Sequence, residues 1–158
     1  MQRFWRICAK NHASAAFTGE GAFRCGGRWN PPGVSLVYTS TTLALAALEL
    51  FVNVEPDDVP GAFVSIAVQA PDDASIQSIE IASLPHGWRR CPAPQALQFI
   101  GLRWLERGDT LLLSVPSVVI PEERNILINP LHPEFPQLTI QAPRAFSFDP
   151  RTWTRRSK

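Results

Sequence analysis

Cysteine, tyrosine, methionine and charge are all scarce in this chain. The three cysteines, Cys8, Cys25 and Cys91, are an odd number without metal-type spacing, which argues against a disulfide scaffold and fits reduced thiols in a cytosol. His12, His86 and His132 stand far apart, with no carboxylate or cysteine at ligand spacing, so no metal is expected. Charged residues make up only 18% and the net charge is +1, so nothing indicates a nucleic-acid or anionic-membrane surface. No apolar run approaches the ~20 residues that span a bilayer. The segment Met1 to Lys10 is too mixed for a secretory leader, and a cytoplasmic protein is expected. Walker, dinucleotide-fold and nucleophile-elbow motifs are all lacking.

What remains reads as one globular domain. The chain has 158 residues, 45% of them hydrophobic, and at that size a fold can bury about 68–70% of its unfolded surface without staples. We place the domain at 1–150 and treat 151–158 as a basic, solvated tail. The pattern predicts strands over Arg3–Ala9, Val34–Thr39, Ala62–Ala70, Ser75–Ile81 and Asn125–Asn129, with one or two more between Gln137 and Phe148. Leu111–Ile120 is apolar and broken by Pro116, which suggests two short strands or a bulge. One helix should follow a cap at Ser40, Thr41 or Thr42 and run to about Asn53, closed by Glu55–Asp58. A second should cover Gln95–Arg107, with Gly108 as its C′ residue. Asn11–Gly27 reads as a loop with at most a helical turn, and Pro85–Pro94 as an irregular, solvated loop. Many short strands with two interspersed helices, without βαβ alternation, point to an α+β fold.

The helix after Thr42 holds the strongest chemical signal. Every residue from Leu43 to Val52 is apolar except Glu49. A helix oily on all sides is expected to be buried, and a carboxylate there is costly unless it is paired or faces a cavity. Two roles are open for Glu49: a structural ion pair with Arg28, or stabilisation of a cationic, oxocarbenium-like transition state. Arg28 sits in Gly26-Gly27-Arg28-Trp29-Asn30, where glycines allow close backbone approach and the guanidinium fork suits phosphate. Tyr38, the only tyrosine, is either core or a platform for a ring. Ser117 is a hydroxyl in an apolar strand, structural or directed at a ligand, and Asn125 and Asn129 either close turns or point into a site.

The order of motifs resembles a known family. Gly19-Glu20-Gly21, Gly26-Gly27-Arg28-Trp29-Asn30, Val37-Tyr38-Thr39-Ser40, Ala47-Leu48-Glu49, Val115-Pro116-Ser117 and Asn125-Ile126-Leu127-Ile128-Asn129-Pro130 with His132-Pro133 look like the RES-domain toxins, bacterial proteins encoded beside Xre-type antitoxins. The family's Arg, Glu and Ser match Arg28, Glu49 and Ser117. The resemblance implies an ADP-ribosyltransferase-like fold, with NAD as substrate. It also implies cleavage of the nicotinamide–ribose bond by phosphorolysis or hydrolysis, or ADP-ribosyl transfer to a protein. Inorganic phosphate is then a candidate co-substrate. The implied catalytic set is Arg28, Tyr38, Glu49 and Ser117, and the implied NAD contacts are Arg28, Tyr38, Ser117 and Asn125. A helix-turn-helix antitoxin is the implied partner, with a homodimer inside a larger complex. The lean charge and the Trp88 and Trp153 segments, read as exposed aromatics, would suit a covered surface. A non-enzymatic binding module with a buried Arg28–Glu49 pair is the competing reading.

Overall fold

The computed structural model describes residues 1–54 and 62–152. The expected helix stop at Glu55–Asp58, Trp153 and most of the basic tail lie outside the described residues. Eight strands form one sheet: β1 (Gln2–Ala9), β2 (Val37–Ser40), β3 (Phe63–Ala70), β4 (Ile76–Ser78), β5 (Leu112–Pro116), β6 (Arg124–Ile128), β7 (Thr139–Ile140) and β8 (Arg144–Phe146). Their order is β4-β5-β6-β2-β1-β3-β7, with β8 also on β3. Among these pairs only β4 and β5 run parallel; the rest are antiparallel. Among the described residues, three α-helices accompany the sheet: α1 (Glu20–Cys25), α2 (Leu43–Asn53) and α3 (Gln95–Arg107). The architecture is α+β, as the pattern of elements predicts.

Period-two alternation divides the core between the two faces of the sheet. Leu112, Ile126 and Ile128 join Phe4, Val37, Ile66 and Val68 in one cluster. Their neighbours Leu113, Val115 and Leu127 join Trp29, Leu36, Trp88, Leu97 and Trp104 in the other. All of β5 is therefore buried. The strand stops at Pro116, which cannot extend the ladder, so Leu111–Ile120 is one strand and a turn rather than two strands. Asn11–Gly27 is more ordered than expected: Lys10–Ala15 is a 3-10 helix and α1 follows. At six residues, with left-handed Gly19 before it and Gly26 after it, α1 is too short to show a helical period.

Helix α2 starts where expected, with Thr42 Oγ1 accepting from the Leu45 amide at 3.1 Å. It is not buried on all sides, and this corrects the expectation. Only Leu45 and Ala46 are buried, and Val52 is 54% exposed. The helix lies on β1 and β2 with one face, while Ala46, Glu49, Leu50, Val52 and Asn53 border open space. Its apolar composition thus covers a sheet on one side and walls a cavity on the other.

Helix α3 approaches the Arg28 loop closely. A Cβ on Gly101 would stand 1.8 Å from the Trp29 carbonyl oxygen, an overlap that only backbone movement relieves. Gly101→Ala should therefore lower stability by about 1–3 kcal/mol, the usual cost of overpacking. A chemical denaturation midpoint equal to that of the parent would refute this close packing.

Candidate active site

The site is assembled from three adjacent strands, one helix and one loop. Strands β6, β2 and β1 are neighbours and supply Asn125, Tyr38 with Ser40, and Arg6. Helix α2 supplies Glu49, and the loop after α1 supplies Arg28. These residues line a cleft of about 850 Å³, Ser40 excepted, within the roughly 300–1,000 Å³ range of small-molecule sites. A side pocket of about 270 Å³ shares Arg6, Tyr38, Glu49, Asn53 and Asn125 with that cleft and adds Ser40 and Thr39.

Buried hydrogen bonds set the loop's shape. Gly26 has φ +69°, and the Gly27 amide donates to the Asn30 carbonyl at 2.9 Å. A side chain at Gly27 would meet the Tyr38 hydroxyl at 2.5 Å. Asn30 is 0% exposed; its Nδ2 donates to the carbonyls of Ala22, Pro31 and Val34 at 2.9, 3.1 and 3.0 Å. The Tyr38 hydroxyl donates to Asn30 Oδ1 at 2.7 Å and accepts from the Trp29 amide at 3.0 Å. Burial raises the Tyr38 phenol well above its ordinary value, so it works as a neutral clamp on the Arg28 loop. Asn30 had no role in the sequence reading; its signal was an amide wedged between a tryptophan and two prolines. Tyr38→Phe should cost about 1–3 kcal/mol by orphaning buried partners, read as a lower denaturation midpoint, and equal stability would dismiss the clamp.

Arg28 does not form an ion pair with Glu49. Its Nη1 donates to the carbonyls of Trp88 at 2.9 Å and Arg90 at 3.1 Å. Partial burial lowers its pKa, offset in part by Cys91, Glu49 and Tyr38. Arg28 thereby pins the 85–94 loop, whose Trp88 is only 8% exposed; the expectation of an exposed aromatic there is corrected. Trp88 instead fills the core beside Trp29 and Trp104.

Glu49 is held through a single oxygen. Ser117 Oγ donates to Oε1 at 2.7 Å and Asn125 Nδ2 donates to the same Oε1 at 2.6 Å. Asn125 is itself fixed, its Oδ1 accepting from Ser40 Oγ at 2.7 Å. Ser117 is 0% exposed and accepts from the amides of Val119 and Ile120, both at 3.1 Å. Oε2 keeps its lone pairs for the cleft. Ser117 is absent from the cleft lining and reaches it only through Glu49. The buried Arg28–Glu49 pair required by the binding-module reading is not made; each group has other partners.

The family model for the RES domain matches residues 3–150. The chain belongs to the RES domain family. A "Prs ADP-ribosylating toxin" of Sphingobium sp. (strain YBL2) is 38% identical over 153 residues, covering 94% of each chain. A "Toxin Res" of Yersinia enterocolitica is 35% identical over 148 residues, covering 93% of this chain and 97% of that one. Among solved structures, the M. tuberculosis MbcT–MbcA toxin–antitoxin complex contains a similar fold, with TM-score 0.76 at 15% identity over 92% of this chain and 84% of that one. In this RES domain the Arg and Glu of the motif, Arg28 and Glu49, line one cleft, and the Ser, Ser117, stands behind Glu49. Arg6, between Trp5 and Ile7 in β1, lines the same cleft and was missed, because no sequence-adjacent partner or motif set it apart. No group of His, Cys, Asp and Glu able to hold a metal occurs among the described residues. No helix there is long and apolar enough to cross a membrane.

Proposed function

We propose that this RES domain is a toxin that consumes NAD by breaking its nicotinamide–ribose bond. The observation that carries the reading is Glu49: one carboxylate, anchored through Oε1, with Oε2 free in a cleft that also holds Arg28 and Arg6. In the reaction the C1′–N bond breaks and its electron pair returns to the pyridine ring, so nicotinamide leaves neutral and needs no acid. Positive charge develops at C1′ and O4′. A fixed carboxylate beside it stabilises that charge and can accept a hydrogen bond from a ribose hydroxyl. Arg28, with its fork partly free, holds phosphate oxygens. Tyr38 and Ser117 act by position, the first on the Arg28 loop and the second on Glu49. Asn125 stands at the cleft surface, where it both holds Glu49 and borders the ribose. An acceptor oxygen from water, inorganic phosphate or a protein then bonds to C1′ and loses its proton.

Transfer to a protein is favoured by the likeness to the Sphingobium relative, which is named an ADP-ribosylating toxin, at 38% identity. Products from labelled NAD separate the readings: free ADP-ribose marks water, ADP-ribose carrying phosphate on that same C1′ marks phosphate, and label on a polypeptide marks transfer. NAD left intact by the pure chain, with phosphate and with lysate, would reject both. An Xre-type helix-turn-helix antitoxin is the proposed partner. Growth arrest on expression, relieved by co-expressing such a protein from an adjacent reading frame, is the expected result.

A further inference from the structure

One side-chain acceptor in the cleft is fixed in place and left open. Gln98, in the first turns of α3, is half-buried and lines the large cleft. Its Nε2 donates to the Gly27 carbonyl at 3.0 Å. A carbonyl only accepts, so that bond settles which end of the amide is nitrogen. Oε1 makes no hydrogen bond to the described residues and is not sealed from solvent. The helix that carries it is held close to the loop. Three residues on, and so on the same helix face, Gly101 sits against the Trp29 carbonyl, where a Cβ would stand 1.8 Å from the oxygen. Gln98 is thus aimed by the loop that carries Arg28, and its open atom is a neutral acceptor.

Its place in the cleft narrows what it can meet. The side pocket shares Glu49, Asn53 and Asn125 with the cleft but takes in none of Ala22, Gly26, Pro92, Ala93 or Gln98. The cleft therefore has a Glu49 end and a Gln98 end. Arg28 stands between them, within electrostatic reach of Cys91, the neighbour of Pro92, and of Glu49. With the reacting ribose at Glu49 and phosphate oxygens on Arg28, the adenosine half of a dinucleotide is left for the far end. Ala22, Gly26, Pro92 and Ala93 are small or flat and carry no charge, which suits the faces of a ring.

We propose that Gln98 selects the base of the dinucleotide, its Oε1 accepting a hydrogen bond from the exocyclic amine of adenine. A base with a carbonyl at that ring position, hypoxanthine or guanine, would set oxygen against oxygen and leave both unpaired. The assignment rests on the NAD reading of this cleft and adds to it a specificity residue outside the Arg, Glu and Ser of the motif.

The test is kcat/KM of the full chain for NAD and for nicotinamide hypoxanthine dinucleotide, which carries oxygen in place of the adenine amine. The parent should prefer NAD by about ten- to a hundredfold. Gln98→Met keeps the length of the side chain and removes its acceptor, so it should lose that preference by slowing NAD more than the hypoxanthine substrate. A glutamine that merely holds Gly27 would slow both substrates alike and leave their ratio unchanged. A preference that persists in Gln98→Met therefore overturns the proposal, as does a parent without preference. Should Gln98→Met fail to fold, Gln98→Lys, which can still donate to Gly27 and offers no acceptor, takes its place with the same expectation. Should the parent leave NAD intact, the function proposed above fails by itself, and calorimetric affinities for ADP-ribose and its hypoxanthine counterpart decide the base site. A preference for ADP-ribose that the Gln98 variant abolishes supports it; equal affinities, or no binding of either, overturn it.

Discussion

Glu49→Gln should reduce NAD cleavage by about a hundred- to a thousandfold, the usual effect of deleting one preorganised electrostatic group, while the chain stays folded. The substitution is informative because of how the carboxylate is held. Ser117 and Asn125 both donate to Oε1, and a glutamine side-chain carbonyl can accept both bonds in the same place. Its amide nitrogen then takes the position of Oε2 at the cleft. Shape is kept, charge is lost, and a donor faces the ribose where an acceptor stood. Stability should change by roughly 1 kcal/mol or less, as expected where no buried partner is orphaned. Glu49→Ala is a poorer probe, since it strips the acceptor from Asn125 Nδ2 and Ser117 Oγ together. Nucleotide consumption measured beside a thermal melt reads both quantities. Parental turnover in a folded Glu49→Gln chain would remove Glu49 from the chemistry altogether.

Glu49 was legible in the sequence because its context is extreme: one acid in an otherwise apolar helix demands a reason. Ser117 stood out only as a hydroxyl in an apolar run, its role left open until the resemblance was considered; it lies just past the end of β5. Composition alone misjudged their surroundings. An all-apolar helix was read as buried all round, yet α2 covers the sheet on one side and walls a cavity on the other, and only the tertiary arrangement separates the two cases. The sequence left open whether Arg28 pairs with Glu49. Their real partners come from far along the chain: backbone carbonyls at Trp88 and Arg90 for one, Ser117 and Asn125 for the other. Those contacts depend on the strand order, in which β2 lies between β1 and β6, and the opposition of Ser40 and Asn125 follows from that register. The strand and helix content was legible because periodicity is local; Arg6 and Asn30 were not, because their significance is what they touch.

Ser117→Ala should be the most damaging small substitution, acting on stability and rate through different bonds. The hydroxyl oxygen accepts from the Val119 and Ile120 amides while its proton goes to Glu49 Oε1. Removing it takes the shared acceptor from the amides of half-buried Val119 and exposed Ile120, which water can partly replace, so the cost should be about 1–3 kcal/mol in all. Each kcal/mol should lower the melting temperature by about 2–4 °C in a chain of this size. Glu49 then keeps one tether, Asn125, and gains rotational freedom. The carboxylate is still present, so binding of the dinucleotide through its phosphates should persist. The rate constant should fall because the fraction of time Oε2 faces the ribose falls. The expected signature, measured well below the melting temperature, is a kcat reduced about ten- to a hundredfold, equivalent to roughly 1.4–2.7 kcal/mol, with KM little changed. A merely structural serine would lower the melting temperature and leave kcat per folded molecule intact. A hydroxyl that touched the substrate would raise KM. Either outcome would reassign Ser117, and only a loss confined to kcat assigns it to aiming Glu49.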